Sequence, residues 1–248
     1  MGSKALWLLW VSSSWALDVR EAESLVRGVD AWRADGAHRS VLTVTTSTSS
    51  GQDVWRLELR CTGPEVCEAR VRWPPRSRNN AMLREGDTLW RYVAALNDVQ
   101  VMGEAELQLP MEGAAVTWDH LFGPRPRIDR FTVQRDGRAR VGERDAWRLK
   151  LVARSGQHTT RLLYVDKLTG RPLREVTLDE EERPLRTLEW AEVSREQNTV
   201  LPKRWILTDH VRGDLQTEVV WEDLQLTSDA RPPLKRPRWW LRWDKATP

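Results

Sequence analysis

From Ser40 onward, apolar and polar positions alternate with a period of two. In "WRLELRCTGPEVCEARVRW" (55–73), Trp55, Leu57, Leu59 and Cys61 alternate with Arg56, Glu58 and Arg60. Ala69, Val71 and Trp73 then alternate with Glu68, Arg70 and Arg72. Successive side chains of a strand point to opposite faces, so the pattern predicts a hairpin with one apolar face and a five-residue loop over 62–66. "NNAMLREGDTLWRYVAALNDVQVM" (79–102) reads as two more strand runs about the polar turn Arg84-Glu85-Gly86-Asp87, with Trp90 and Tyr92 on one face. Extended along the chain, the alternation predicts strands over 40–48, 54–61, 67–73, 81–84, 88–94, 99–103, 130–135, 146–153, 160–166, 172–179, 185–194, 204–211 and 216–224. Turn residues such as Asp136-Gly137, Thr169-Gly170 and Arg212-Gly213-Asp214 separate them, which implies one antiparallel meander and not βαβ units. Two stretches break the pattern. Ala22, Leu25, Val26, Val29 and Trp32 recur at helical spacing before Gly36, an amphipathic helix. Residues 104–128 carry a helix-compatible centre over 112–122 and a Pro-rich tail that reads as a linker or lid.

The N-terminus adds a compartment. Lys4, the apolar run 5–11 and the small residues of Ser14-Trp15-Ala16 resemble a secretory signal cut after Ala16, against the alternative of a buried N-terminal strand. A charged helix just beyond the cut favours the signal, and the run is far shorter than the ~20 residues of a membrane span. Cys61 and Cys67 face each other at the neck of their hairpin, where an oxidising compartment closes them into a disulfide. Two thiols alone do not complete a tetrahedral metal site.

Composition narrows the chemistry. The 248 residues hold 39 basic and 36 acidic side chains, a net charge of +3, too little positive excess for a nucleic-acid partner. Trp is the unusual residue, 15 copies against two Tyr and two Phe, and it gathers where apolar area meets a polar edge. His38, His120, His158 and His210 stand at no metal-ligand spacing, and no nucleophile elbow, phosphate loop or dinucleotide glycine pattern occurs. Asp119-His120 has no nucleophile near it in sequence and reads as a polar lid residue pair. Glu180-Glu181-Glu182 reads as a solvated turn, and Arg212-Gly213-Asp214 as a tight hairpin turn. Neither an enzymatic constellation nor a cofactor is expected. The basic, Trp-rich end, 229–248, reads as a tail, either packed on a sheet edge or set against an anionic membrane surface.

The order of segments resembles the LolA-like outer-membrane lipoprotein-sorting family. "WPPR" (73–76) and "AMLREGDTLWRYVAAL" (81–96) followed by "MEGAAVTWDHL" (111–121) are similar to that family's P…G-D-x-L-W-x-Y-x-P and G-S-D-x-S-Y-x-D-L segments. "LLYVDKLTGRPLREVTLDEEERPLRTLEWAEV" (162–193) and "LPKRWILTD" (201–209) are similar to its V-D-x-x-T-G-x-P hairpin and L-P-x-R-W-x-M strand. The resemblance covers about residues 19–226. Ala94 stands where the family has Pro, Gly113-Ala114-Ala115 replaces Gly-Ser-Asp, and the family's cavity arginine has no assigned counterpart.

The resemblance implies a mainly β fold, an unclosed antiparallel β-barrel with an N-terminal helix and a lid segment over its concave face. With the signal and tail read above, the expected domain order is 1–16 signal peptide, 17–228 half-barrel and 229–248 tail. An apolar cavity for acyl chains would be lined by Trp55, Leu57, Leu59, Val71, Trp73, Met82, Trp90 and Tyr92. The lid would contribute Leu109, Met111, Val116, Trp118 and Leu121. The implied function is a monomeric, non-enzymatic periplasmic carrier of an acylated lipoprotein or lipid. Donor and acceptor proteins would serve it at the inner and outer membranes. The alternative is an envelope sensor or assembly module with the same fold, its cavity filled, binding a protein partner.

Overall fold

The computed structural model describes residues 11–30, 38–62, 66–86, 88–122, 126–154, 160–196 and 199–226. Trp32 and Gly36, most of the signal segment and the tail 229–248 lie outside them. Thirteen strands, β1 (His38–Thr48), β2 (Gly51–Cys61), β3 (Val66–Trp73), β4 (Ala81–Glu85), β5 (Thr88–Val93), β6 (Asp98–Met102), β7 (Phe131–Val141), β8 (Arg144–Ala153), β9 (Thr160–Asp166), β10 (Pro172–Leu178), β11 (Pro184–Glu196), β12 (Thr199–Asp209) and β13 (Leu215–Leu226), form one antiparallel sheet. Its order is β6-β5-β4-β3-β2-β1-β13-β12-β11-β10-β9-β8-β7, so β6 and β7 are its two ends and the order does not close into a ring. The helices are α1 (Val11–Asp30), α2 (Glu104–Leu107), α3 (Trp118–Phe122) and α4 (Arg127–Arg130). This is the mainly β, unclosed fold with an N-terminal helix that the alternation and the resemblance predict. The helix begins at Val11, ahead of the expected cleavage point.

Local differences have local causes. The sequence places a turn at Asp136-Gly137, but β7 continues through it: Gly137, with φ +97°, sits in a bulge between Arg135 and Arg138, and the chain reverses instead at Gly142. Only 118–122 of the expected 112–122 helix forms. Ahead of it Pro110 pairs with Thr117, and Met111 N–H bonds the Val116 carbonyl at 2.8 Å, closing a short turn.

The chain forms two compact units, one of α1, α4 and β7–β10 and the other of β1–β6, α2, α3 and β11–β13. In the first, α1 packs on β7 and α4 through buried Ala22, Val26 and Val29. A buried ion cluster fixes its end. The guanidinium of Arg127 bonds Asp30 at 2.8 Å and Glu175 at 2.9 Å, and Arg161 reaches the other Glu175 oxygen at 2.7 Å. Burial raises the Glu175 pKa, but the charges of Arg127 and Arg161 outweigh it and hold the carboxyl well below the usual carboxylate range. In the same unit, Asp166 of the V-D-x-x-T-G segment accepts the backbone N–H groups of Leu168 and Thr169 and so shapes the β9–β10 turn.

Candidate functional site: the covered face of the second unit

The register of the second unit assigns every side chain to a face. Leu42 opposes Leu57, Leu57 opposes Val71, Leu59 opposes Ala69, and Ala69 opposes Met82. Directly opposed residues share a face, so Trp55, Leu57, Leu59, Val71 and Met82 line one apolar surface, all at most 3% exposed. Leu89, Met102, Leu188, Leu207 and Val219 extend it, with Trp190, Trp205 and Trp221 half-buried at its margin. Cys61 and Cys67 oppose each other on that face and are joined as a disulfide, as the hairpin spacing predicts.

Three of the expected lining residues are placed elsewhere. β4 and β5 pair with Glu85 opposite Thr88, so even positions pair with odd ones. Met82 therefore opposes Arg91, while Trp90 opposes Leu83 and Tyr92 opposes Ala81. Both rings lie on the other face of the sheet, across from Val101 and Val99 of β6. Trp73 also leaves the apolar face: a bulge makes Arg72 the extra residue, Trp73 pairs with Arg56, and it is 49% exposed.

The segment 107–122 covers the apolar face. Met111, Ala114, Ala115, Val116, Trp118, Leu121 and Phe122 are buried in one cluster with Trp55, Leu57 and Met82. Leu109, expected among them, is 55% exposed. A few polar contacts tie the segment to the sheet. The Ala115 N–H donates to Thr217 Oγ1 at 2.7 Å, and that hydroxyl bonds Thr46 Oγ1 at 2.9 Å, all three residues buried. Arg91 pairs with Glu112 at 2.7 Å, and Arg84 donates to the Phe122 carbonyl. Arg212 donates to the carbonyls of Gly113 and Ala114. It is aimed there by Asp209, whose buried carboxylate accepts from Arg212 Nε at 2.8 Å and from the backbone N–H groups of Val211 and Arg212, with Gly213 in the left-handed region at φ +65°. The Arg-Gly-Asp tripeptide is thus a tight turn that carries a clamp. Asp119-His120 belongs to the helix start: His120 Nδ1 lies 2.7 Å from Thr117 Oγ1. Arg84 and Arg212 read in the sequence only as turn residues, and neither Arg91 nor Thr217 was singled out, each one more polar residue in an alternating strand.

The opposite face is an ionic lattice. Glu58, almost fully buried, is held by Arg39 at 2.8 Å, Arg60 at 3.0 Å and Arg72. Burial raises its pKa, but the hydrogen bonds from Arg72 and Arg60 win and hold it at about 2. Arg70–Glu68, Arg56–Glu222 and Arg204–Glu218 continue the pattern.

A family model described as an uncharacterized "-like" protein matches residues 69–232. An LolA superfamily protein from Nitrosomonas europaea superposes with a TM-score of 0.71 at 17% identity, over 84% of this chain and 94% of that chain. A domain assigned to outer membrane lipoprotein sorting, from Vibrio parahaemolyticus, gives a TM-score of 0.74 at 16% identity, over 88% and 95%. The chain belongs to the matched family, and its fold is LolA-like. A DUF1329 family protein from Desulfovibrio piger shares this LolA-like fold, with a TM-score of 0.74 at 14% identity over 86% and 94%. No curated protein matches the sequence. At these identities the structures establish the LolA-like architecture of the chain, and the placement of its side chains is its own.

Proposed function

We propose that this LolA-like protein is a non-catalytic carrier that shelters the acyl chains of a lipoprotein or lipid on the covered face of its second unit. The observation that carries the reading is the nature of the cover. The apolar surface around Trp55, Leu57, Leu59, Val71 and Met82 is closed by a short segment, 107–122, whose polar ties to the sheet come from Arg84, Arg91, Arg212 and Thr217. A lifted segment exposes that surface to an acyl chain, and the chain replaces the side chains of Met111, Val116, Trp118 and Leu121. Moving an acyl chain through water costs ~0.8 kcal/mol per CH₂, so a soluble shuttle must hide it. The neighbour assigned to outer membrane lipoprotein sorting supports the same cargo class. The disulfide fits an oxidising, exported location, and we place the protein in the periplasm after cleavage at Ala16. Donor and acceptor proteins at the two membranes follow from the shuttle role.

A second reading rests on the same segment: Met111, Trp118, Leu121 and Phe122 fill the face as a packed core would, which suits a module that binds a protein partner. Native mass spectrometry of protein purified from its own envelope, with uptake of a fluorescent fatty acid, separates the two. Co-purified lipid and saturable uptake support the carrier. A lipid-free protein that takes up no apolar probe overturns it in favour of the filled module.

A further inference from the structure

Three donors stand out on the apolar face at its β11–β13 margin. Ser40 Oγ is buried, in a residue 1% exposed, and has no hydrogen-bond partner among the described residues. The indole Nε1 atoms of Trp205 and Trp221 are also buried with no acceptor among the described residues. The register brings the three together. Trp205 opposes Val219 and Trp221 opposes Leu42, so both rings share the face of Leu42 and Leu57. The two rings are in contact, with centroids 5.7 Å apart. Ser40 is two residues from Leu42 on β1 and opposes Leu59, on the same face and diagonal to Trp221.

Buried polar groups in folded proteins are almost always paired, and a tryptophan in a core is usually set where its N–H reaches an acceptor. Trp55 obeys that rule on this face, donating to Asp53 at 3.3 Å. Three donors with no partner among the described residues lie in one patch, with the buried His38 ring 6.1 Å from that of Trp221, and they call for an acceptor that comes with a ligand. All three donors are neutral. A neutral carbonyl oxygen suits them, whereas a carboxylate brought there would be a buried charge. From this patch β1 runs six residues to Thr46, about 20 Å along the apolar face, room for a long acyl chain lying extended.

We infer that Ser40 Oγ and the indole N–H groups of Trp205 and Trp221 bind the carbonyl oxygen at the head of an acyl chain, while the chain lies along the face of β1 and β2. The inference rests on the carrier reading and adds to it the atoms that fix which end of the chain goes where. An ester carbonyl and a protonated acid present the same oxygen, so the cargo is an esterified acyl chain or the free fatty acid.

The test compares methyl palmitate, palmitic acid and hexadecane as competitors of a fluorescent fatty acid, on the full chain and on Ser40→Ala, Trp205→Phe and Trp221→Phe. The phenylalanine variants keep an aromatic ring and lose only the N–H and some area, and thermal melts identify any variant that fails to fold. Each variant is expected to weaken the ester about tenfold, the loss of one buried hydrogen bond, and to leave hexadecane unchanged. A stronger loss for the ester than for the acid identifies esterified cargo, and the reverse identifies free fatty acid; either supports the donor site. Equal losses for all three competitors show a packing role and overturn it, as does ester binding that no variant changes, where water serves the donors. In both cases the carrier reading stands. Wild type that binds none of the three ends both proposals.

Discussion

Thr217→Val tests whether segment 107–122 opens as a unit. The substitution keeps the shape of a fully buried side chain and removes the hydroxyl that accepts the Ala115 N–H at 2.7 Å. In the closed state that amide is then buried with no acceptor; in the open state water serves it. The penalty falls on the closed state alone, and a buried unsatisfied donor costs roughly 1–3 kcal/mol, so the open population should rise about 5- to 150-fold. Thr46, bonded to the same hydroxyl at 2.9 Å, loses its partner too and pushes the same way. Hydrogen exchange followed by mass spectrometry on peptides spanning 107–122 reads the population directly. Protection there should fall by that factor while peptides of β2 and β3 keep theirs, and uptake of a fluorescent fatty acid should quicken. If protection is lost equally across the segment and the central strands, the cover and the sheet are one cooperative unit and the lid argument is wrong.

Three further outcomes follow from the geometry. Replacing Cys61 and Cys67 with Ala should lower stability by about 2 kcal/mol in urea titration, the entropy of a loop of about seven residues, and the oxidised wild type should show no thiol to labelling reagents. Glu58 at about 2 and Glu175 well below the carboxylate range both sit beneath the unperturbed 4.5, so the stability they supply is present above 4.5 and is lost as pH falls through their folded values. Thermal melts should therefore decline from pH 4.5 toward 2, and Glu175→Leu, which takes a carboxylate partner from buried Arg127, should cost about 3–5 kcal/mol already at pH 7. N-terminal sequencing of protein from the envelope should begin at Leu17; an intact Met1 would refute export by a cleaved signal.

The strands were legible because one face of each had to be apolar. Alternation alone located all thirteen, with ends off by a few residues. It could not tell which apolar positions share a face once a turn or bulge intervened. The β4–β5 register put Trp90 and Tyr92 opposite Leu83 and Ala81, and one extra residue in β3 turned Trp73 outward. Segment 107–122 was legible as a break in the pattern; of its buried residues the sequence named Met111, Val116, Trp118 and Leu121 but not Ala114, Ala115 or Phe122, and it also named Leu109, which is exposed. The segment's fastenings were not legible. Arg84, Arg91 and Arg212 are three among many arginines, and what distinguishes them is a carbonyl or carboxylate supplied from elsewhere in the chain. Where Gly113-Ala114-Ala115 replaces the family's Gly-Ser-Asp, the tie to the sheet is made by the Ala115 backbone N–H, which no side-chain pattern reveals.

The two faces of the second unit divide the work of staying folded. A sheet that relied on its apolar face alone would come apart when the cover lifted. Here the opposite face carries its own ion pairs: Glu58 is bonded across strands by Arg39 and Arg72 and within its own strand by Arg60, and Arg56 reaches across to Glu222, whose carboxylate also accepts from Thr43. Single exposed pairs of this kind add little. Glu58 differs because one buried carboxylate is shared by arginines of three strands, β1, β2 and β3. None of these bonds involves 107–122, so none is lost on opening. The near balance of 39 basic and 36 acidic side chains supplies both partners for such pairs. A carrier needs that separation, since the force that binds its cargo is the same force that would otherwise hold it shut.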